Sequence, residues 1–176
     1  FLMNFIIRSI LISTIIFNFN ILYAENNIVF INMNTVVEKS KIGISIKKQF
    51  EKLNKSNLDS FKKIEDDLKK NEQDLITKKN ILSQDEFKAK TIELRKEVLT
   101  YQSNRKKKIS ELNQKRVVAT KQLFKEINPI LATYSKENNI AFILDKRSVV
   151  TGSTSLDITN TIIELLNKAN PKININ

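Results

Sequence analysis

The sequence contains no cysteine, no histidine and no tryptophan, and it has only two glycines and two prolines in 176 residues. Without cysteine and histidine, most zinc sites, thiol chemistry and acid–base catalysis by an imidazole are excluded. We also find no glycine-rich phosphate loop, no cluster with metal-ligand spacing and no nucleophile beside a base. The sequence therefore predicts that the protein is not an enzyme and that it uses no cofactor or metal.

The scarcity of glycine and proline is greatest between Gly43 and Pro129, which are separated by 85 residues that include neither type. An apolar residue recurs there every three or four positions, as in an amphipathic helix. The pattern loses phase near residues 77–82 and resumes after Ser83 and Glu86, which have the spacing of a capping box. We therefore predict a long antiparallel helical hairpin with its tip at residues 79–84. Because the turn contains no Gly or Pro, it is predicted to use Asn80 or another residue that tolerates unusual dihedral angles.

The positive charge is concentrated in this helical stretch. Residues 39–126 hold 24 basic and 13 acidic side chains, a net of +11, whereas the other residues from position 25 onward hold 5 and 6, a net of −1. Lysine outnumbers arginine by 25 to 5, and A/T-rich coding alone would also favour lysine. The hairpin is therefore predicted to have a basic surface, part of which can reflect coding bias.

The first 24 residues are typical of a secretory signal peptide. Arg8 is their only charge, an apolar run follows at residues 10–17, and Ala24 is a small residue at the expected cleavage position. The alternative is an uncleaved membrane anchor, but the apolar run is short for a span of ~20 residues. We predict an exported protein that is cleaved near Ala24.

Two short segments with strand composition flank the hairpin. Residues 27–32 form the first, and Thr35 and Glu38 then have capping-box spacing for a short helix that begins near Val36. Gly43 permits a break before the long helix begins at about residue 44. At the other end, Pro129 marks a kink or the first turn of a new helical segment.

The second flanking segment begins after Asn138 and Asn139, which are predicted to stop the return helix. It comprises a strand at residues 140–144, a turn after Asp145, and a third strand at residues 149–151. Asp157 or Ser155 is predicted to cap a last helix at residues 158–168, and residues 171–176 are predicted to be a frayed tail.

Within the hairpin, apolar residues of the first helix track one face, as in the seam of a coiled coil, although Asn57 and Asn71 interrupt them. Arg105 and Arg116 occupy seam positions of the return helix, where their stems can cover apolar surface. The first-helix seam residues are Ile46, Phe50, Leu53, Phe61, Ile64, Leu68 and Leu75.

The predicted fold is mainly α: an arm at residues 44–128 on a small α+β body formed by residues 25–43 and 129–170. A body of about 65 residues is marginal as an independent core, and its buried strands need partners. Self-assembly through the body is therefore expected.

The flanking segments resemble the Skp/OmpH family of periplasmic chaperones. The resemblance rests on the strand before the capped helix, on Gly43 ahead of the long helix, and on the closing run of strand, Asp145, Ser-rich loop and Asp157-Ile158-Thr159. Members of that family are jellyfish-shaped homotrimers whose helical arms hold unfolded outer-membrane proteins without ATP. The resemblance implies the same oligomer, periplasmic location and partners here. It also implies structural roles for Asp145, at a turn, and Asp157, at a helix cap.

The resemblance further implies two sets of functional residues. The trimer body would be built by Ile28, Val29, Phe30, Ile31, Phe142, Ile143, Leu144, Val149 and Val150. The arm would face clients or lipid with Lys78, Lys79, Arg105, Lys106, Lys107 and Lys108. Because Lys lacks the bidentate fork of Arg, the attraction to anionic lipid or lipopolysaccharide is expected to be diffuse. The alternative is that these lysines form an ordinary solvated helix face.

Two other functions are compatible with the sequence. A structural coiled coil of the cell envelope would need no client, and it would assemble end to end or on a fixed partner. A basic nucleic-acid-binding protein would neutralise phosphates, but the signal peptide and the lack of a base-reading module oppose it.

Overall fold

The computed structural model describes residues 27–175. The predicted signal peptide and its cleavage position near Ala24 lie outside this range. The elements, in order, are strand β1 (Asn27–Ile31), helices α1 (Met33–Lys39), α2 (Lys41–Thr77) and α3 (Gln84–Glu137), strand β2 (Ile140–Asp145), two 3-10 turns (Lys146–Ser148 and Thr154–Leu156), and helix α4 (Thr159–Ala169). Over the described range, no helix is both long enough and apolar enough to cross a bilayer.

Helices α2 and α3 form the predicted hairpin, which confirms the fold class. At ~1.5 Å per residue, they are roughly 55 and 80 Å long. The capping box is present: the Glu86 N–H donates to Ser83 Oγ over 3.3 Å, and the Ser83 N–H donates to Glu86 Oε2 over 3.0 Å. Asn80 lies in the turn, but the prediction that the turn needs unusual dihedral angles is wrong, because the non-glycine residues with positive φ in the described chain are Asn139 and Asn170.

The connection before the long helix differs from the prediction. Asn32, not Thr35, caps α1, accepting a hydrogen bond from the Thr35 N–H at 3.1 Å. The break lies at Ser40, whose hydroxyl caps α2, and Gly43 lies inside the helix. Gly43 serves close packing: a Cβ there would lie 1.6 Å from the Val37 carbonyl oxygen.

The return helix α3 is one element through Pro129, so no new helical segment begins there. It ends at Glu137, and Asn139 follows in the left-handed region with φ of 51°. The predicted helix stop at Asn138 and Asn139 is therefore confirmed.

Strands β1 and β2 form a two-stranded parallel sheet, with Ile28 opposite Phe142 and Phe30 opposite Leu144. The hairpin is the crossover connection between them. The predicted third strand at residues 149–151 is wrong: Asp145 caps a 3-10 turn at Lys146–Ser148, and the described chain forms no strand between this turn and the next. The bridge on the other side of β1 is made instead by Asp157, opposite Phe30.

The core lies where the hairpin root, the sheet and α4 meet. Leu123 and Ile127 of α3 belong to it, although they fall in the range predicted as arm. One buried cluster contains Val29, Ile31, Val36, Ile42, Leu123, Ile127, Ile158, Ile162 and Leu166. Its members come from both ends of the sequence, so the body closes only after the hairpin has returned.

Residues 170–175, which follow α4, lie against the hairpin root, so the prediction of a frayed tail is wrong over residues 171–175. Ile173 packs on the core, and Ile175 is only 5% exposed. Asn170 leads into the segment from the left-handed region, with φ of 47°. The polar composition of the segment suggested fraying, but the segment also contains Ile173 and Ile175, whose apolar side chains pack against the rest of the chain.

Candidate functional site

The two arm helices leave an open groove of about 1130 Å³ between residues 65 and 109. Its wall is mostly apolar, and charged side chains, including Glu65, Lys69, Arg95 and Lys106, stand around it. The apolar lining consists of Leu68, Leu75, Ile76, Phe87, Leu94, Val98, Leu99 and Ile109. An apolar cleft with a charged rim can hold an apolar chain segment while its polar groups stay in water.

The groove exists because the arm is only two helices thick. Ile76 and Leu99 retain 62% and 65% of their surface although both line the groove. A two-helix layer covers one stripe of each helix and leaves the neighbouring apolar positions exposed. The apolar surface of the arm is thus available to another chain.

A cluster on the body side of the groove ties the helices together. Phe61 is the one buried side chain between residues 44 and 118 of the described chain. Tyr101 packs edge-on against it at 6.3 Å between ring centroids, and the Arg105 guanidinium lies 5.6 Å from the ring centre. Glu65 completes the cluster, accepting from the Tyr101 hydroxyl and pairing with Arg105 at 3.2 Å.

The cluster is held by electrostatics as well as by packing. Desolvation raises the pKa of Tyr101, and its hydrogen bond to Glu65 adds to the rise. The tyrosine therefore stays protonated and remains a hydrogen-bond donor to the carboxylate.

Nearer the root, the Arg116 guanidinium lies 5.6 Å from the centre of the Phe50 ring. Arg105 and Arg116 both lie over seam aromatics, but the prediction differs in one respect: the charged guanidinium, and not only the stem, stands over each ring.

The predicted basic residues do not form one site. Arg105 faces the partner helix, Lys106 lines the groove, and Lys108 pairs with Glu111 at 3.3 Å. Lys107 is exposed, and Lys78 and Lys79 lie in the turn at the tip. The contact of these residues with a client or lipid stays a prediction.

The predicted body residues divide between two faces of the small sheet. Val29 and Ile31 point into the core, with Ile143 packed beside them. On the other face, Ile28, Phe142 and Leu144 are 48%, 64% and 43% exposed. Phe30 is buried close to Gly152, with the Lys146 ammonium 5.7 Å from the centre of its ring, and Val150 is fully exposed. Apart from Phe30, the outer face is an apolar patch that the described part of the chain leaves exposed.

Asp145 and Asp157 stabilise the loops beside this patch. Asp145 accepts from the Arg147 N–H at 2.9 Å and pairs with the Arg147 guanidinium at 2.7 Å, and these hydrogen bonds lower its pKa to about 2. Burial opposes ionisation of Asp157, but hydrogen bonds from Lys146 and Thr159 hold its pKa below the usual value. Asp157, one residue before the cap position, accepts from the Thr159 N–H at 3.0 Å, whereas Ser155 bonds Ser153. Turn and helix-start roles are the ones these contacts support.

The sequence pattern indicated the seam but missed three structural features. It did not reveal the groove, the four-residue cluster around Phe61, or the docking of residues 173–175. The spacing of Phe61, Tyr101 and Arg105 contained a signal, since all three occupy seam positions. In the described chain no group of three or more acidic or imidazole side chains could hold a metal ion.

Comparison with known proteins identifies the family. The sequence profile of the family described as "Outer membrane protein (OmpH-like)" matches residues 27–166. The fold is similar to that of a candidate outer membrane chaperone (OmpH-like) from Caulobacter crescentus CB15, with a TM-score of 0.80 at 15% identity over 84% of this chain and 87% of that chain. A search of curated protein sequences gave no significant match. The chain belongs to the OmpH-like outer membrane protein family.

Proposed function

We propose that this protein is an ATP-independent holdase chaperone of the periplasm that binds unfolded outer-membrane proteins between its arms. The observation that carries the proposal is the open apolar groove of the arm in a member of the OmpH-like family. An unfolded barrel protein offers apolar side chains that need cover and no fixed shape. A groove with many half-exposed apolar positions suits such a client.

The charge of the arm supports capture of the client. With 24 basic and 13 acidic side chains over residues 39–126, the arm attracts acidic chains and anionic membrane surfaces. Screening shortens this attraction from about 10 Å at 0.1 M salt to about 3 Å at 1 M. High salt should therefore slow capture more than it weakens the held complex.

Three arms around one cavity require assembly through the body. The exposed side chains of Ile28, Phe142, Leu144 and Val150 support a homotrimer, because an apolar patch of this kind is stabilised by a second copy. Strand β2 is hydrogen-bonded to β1 on one side, and a strand edge of this kind can pair with another chain. Phe142→Asp should lower the oligomer mass, whereas Ile81→Asp, at an exposed position of the tip, should not.

The function is tested with purified residues 25–176. Oligomer mass is measured by light scattering, and aggregation of a urea-unfolded outer-membrane barrel is followed on dilution at 0.1 M and 1 M salt. We expect a trimer that suppresses aggregation, with slower capture at high salt. A stable monomer, or a trimer that leaves aggregation unchanged, contradicts the proposal.

A matched pair of variants locates the holding surface. Ile76→Ser with Leu99→Ser removes exposed apolar surface from the groove, and we expect weaker suppression of aggregation. Val117→Ser removes a side chain of similar exposure (56%) outside the groove and should have little effect. Equal loss in both variants would show that the groove has no special role.

A further inference from the structure

The segment 170–175, termed the strap, lies across the root of the hairpin and outside the residues that the family profile matches. It touches both arm helices: Gln49 of α2 and Lys115 of α3 each hydrogen-bond its backbone. The strap is therefore a short peptide bound on the surface of α2 and α3 around Gln49 and Lys115, a surface termed the strap groove.

Gln49 recognises the strap through its backbone alone. Its Nε2 donates to the Ile173 carbonyl over 2.9 Å, and its Oε1 accepts from the Ile175 N–H at 3.1 Å. In a parallel sheet, one residue of a strand makes the same pair of hydrogen bonds with the adjacent strand. It bonds the carbonyl of one residue there and the N–H of the residue two positions later. The Gln49 amide, which carries both a donor and an acceptor, thus takes the place of one strand residue.

The rest of the contact adds affinity and side-chain preference. Lys115 Nζ donates to the Ile175 carbonyl over 2.8 Å. Ile173 packs against the core, and Ile175 is 5% exposed, so the groove buries apolar side chains at alternate positions. Backbone hydrogen bonds with pockets for alternate side chains are how proteins bind extended peptides by strand addition.

We propose that the strap groove is a peptide-binding site for extended segments with apolar residues at alternate positions. The strap is its intramolecular occupant and competes with such segments. The ligand class is the strand-forming stretch of an unfolded chain, since barrel strands alternate apolar and polar residues. This inference deepens the proposed function and rests on it for the identity of the natural ligand.

Competition follows from the covalent connection. A short tether gives the strap an effective concentration in the millimolar range, so a free peptide of the same affinity hardly displaces it. A client that is already held elsewhere on the arm also has a high effective concentration at this site, so it can exchange with the strap. Removing the strap should therefore expose the site to free peptide.

The test uses a fluorescent, end-blocked peptide with the sequence of residues 170–176 and measures its anisotropy. We expect binding to a chain that ends at Ala169 and at least tenfold weaker binding to the full chain. In the shortened chain, Gln49→Ala should weaken binding about tenfold, because two hydrogen bonds are lost. Gln122→Ala, at an exposed position of α3, is the matched control and should leave binding unchanged.

Two further measurements control for misfolding and for non-specific binding. Full-length Ile175→Asn keeps the chain length and loosens the strap, and it should bind the peptide nearly as well as the shortened chain. A peptide N-methylated at the position of Ile175 lacks the N–H that Gln49 accepts, and it should bind about tenfold more weakly. Absence of binding to both strap variants, or equal binding of the methylated peptide, overturns the inference.

The outcome is separable from that of the proposed function. Peptide binding is measured without a barrel client, and holding is measured on the full chain. If the full chain suppresses aggregation and neither strap variant binds the peptide, the strap groove is refuted and the chaperone stands. If peptide binds and no holding occurs, the site stands and the chaperone is refuted.

Discussion

The body and the arm share the same helices but differ in how those helices are covered. On α3, Leu123 and Ile127 at the root are 2% and 0% exposed, whereas Ile92 and Leu99 in the arm are 58% and 65% exposed. At the root, α3 packs against α2, α4 and strand β2. In the arm it meets only α2. The number of layers, more than the composition of the helix, decides how tightly it is packed.

This difference assigns different physical properties to the two regions. A residue buried on all sides loses much stability when it is truncated, which keeps the body in one structure. A half-exposed seam opens at low free-energy cost, because few apolar contacts are lost. A fixed body with an adaptable arm suits the proposed function, in which the arm holds a partner without a fixed shape.

The largest expected effect comes from the body core. Leu166→Ala removes a fully buried side chain and should lower the free energy of unfolding by about 2–5 kcal/mol. The matched change in the arm, Leu99→Ala, should cost less than about 0.5 kcal/mol, because surface substitutions do. Urea unfolding at one fixed protomer concentration measures both. Equal losses would erase the distinction between the two regions.

The next effect comes from the close approach at Gly43. Gly43→Ala places a methyl group 1.6 Å from the Val37 carbonyl oxygen, so the connection between α1 and α2 must shift. We expect a loss of about 3 kcal/mol, at the upper end of the usual cost of overpacking. Ser45→Ala, two residues along at an exposed position, is the control. Unchanged thermal stability of Gly43→Ala would mean that this connection is not rigid.

A smaller and local effect is expected in the arm. Phe61→Ala removes the centre of the cluster with Tyr101 and Arg105 and should cost about 1.5–3 kcal/mol, the value of burying one Phe side chain. Hydrogen exchange should rise in the arm and stay unchanged in the amides of β1 and α4. A uniform rise over the whole chain would mean that arm and body unfold as one unit.

The smallest effect concerns pH. The pKa of Asp145 is lowered to about 2 by Arg147, so its contribution is present above the unfolded value of about 3.9 and is lost as pH falls toward 2. Asp145→Asn should make the free energy of unfolding depend less on pH in this acid range. Between pH 5 and 8 its dependence on pH should be nearly unchanged. A profile with the wild-type slope between pH 4 and 2 would contradict this role for Asp145.

Local signals in the sequence predicted most of the arm. The spacing of Phe50, Phe61 and Leu68 predicted the seam, and Ser83 with Glu86 predicted the start of the return helix, because both depend on near neighbours. The errors arose where distant residues decide the structure. Gly43 is explained by the Val37 carbonyl, which becomes close only once the chain turns at Ser40.

The errors at the carboxyl end have the same cause. Residues 149–151 have strand composition, but they pair with no strand in the described chain. The place beside β1 is taken instead by the bridge between Phe30 and Asp157. The strap was predicted to fray because its sequence is polar, and its order depends on Gln49 and Lys115, 126 and 60 positions away from Ile175. The exposed groove could not be predicted either, because the distance between two helices does not follow from the spacing of apolar residues in either helix.

Shortening the arm tests the central claim most directly. Replacing residues 58–108 with a short Gly-Ser linker joins Asn57 to Ile109 and keeps Phe50, Arg116 and the buried Leu123 in place. The measurement is suppression of barrel aggregation by this variant at a matched protomer concentration, with oligomer mass determined in the same samples. We predict an unchanged number of protomers and complete loss of suppression. A variant that still suppresses aggregation, or that dissociates to monomers, would contradict a body that assembles and an arm that holds.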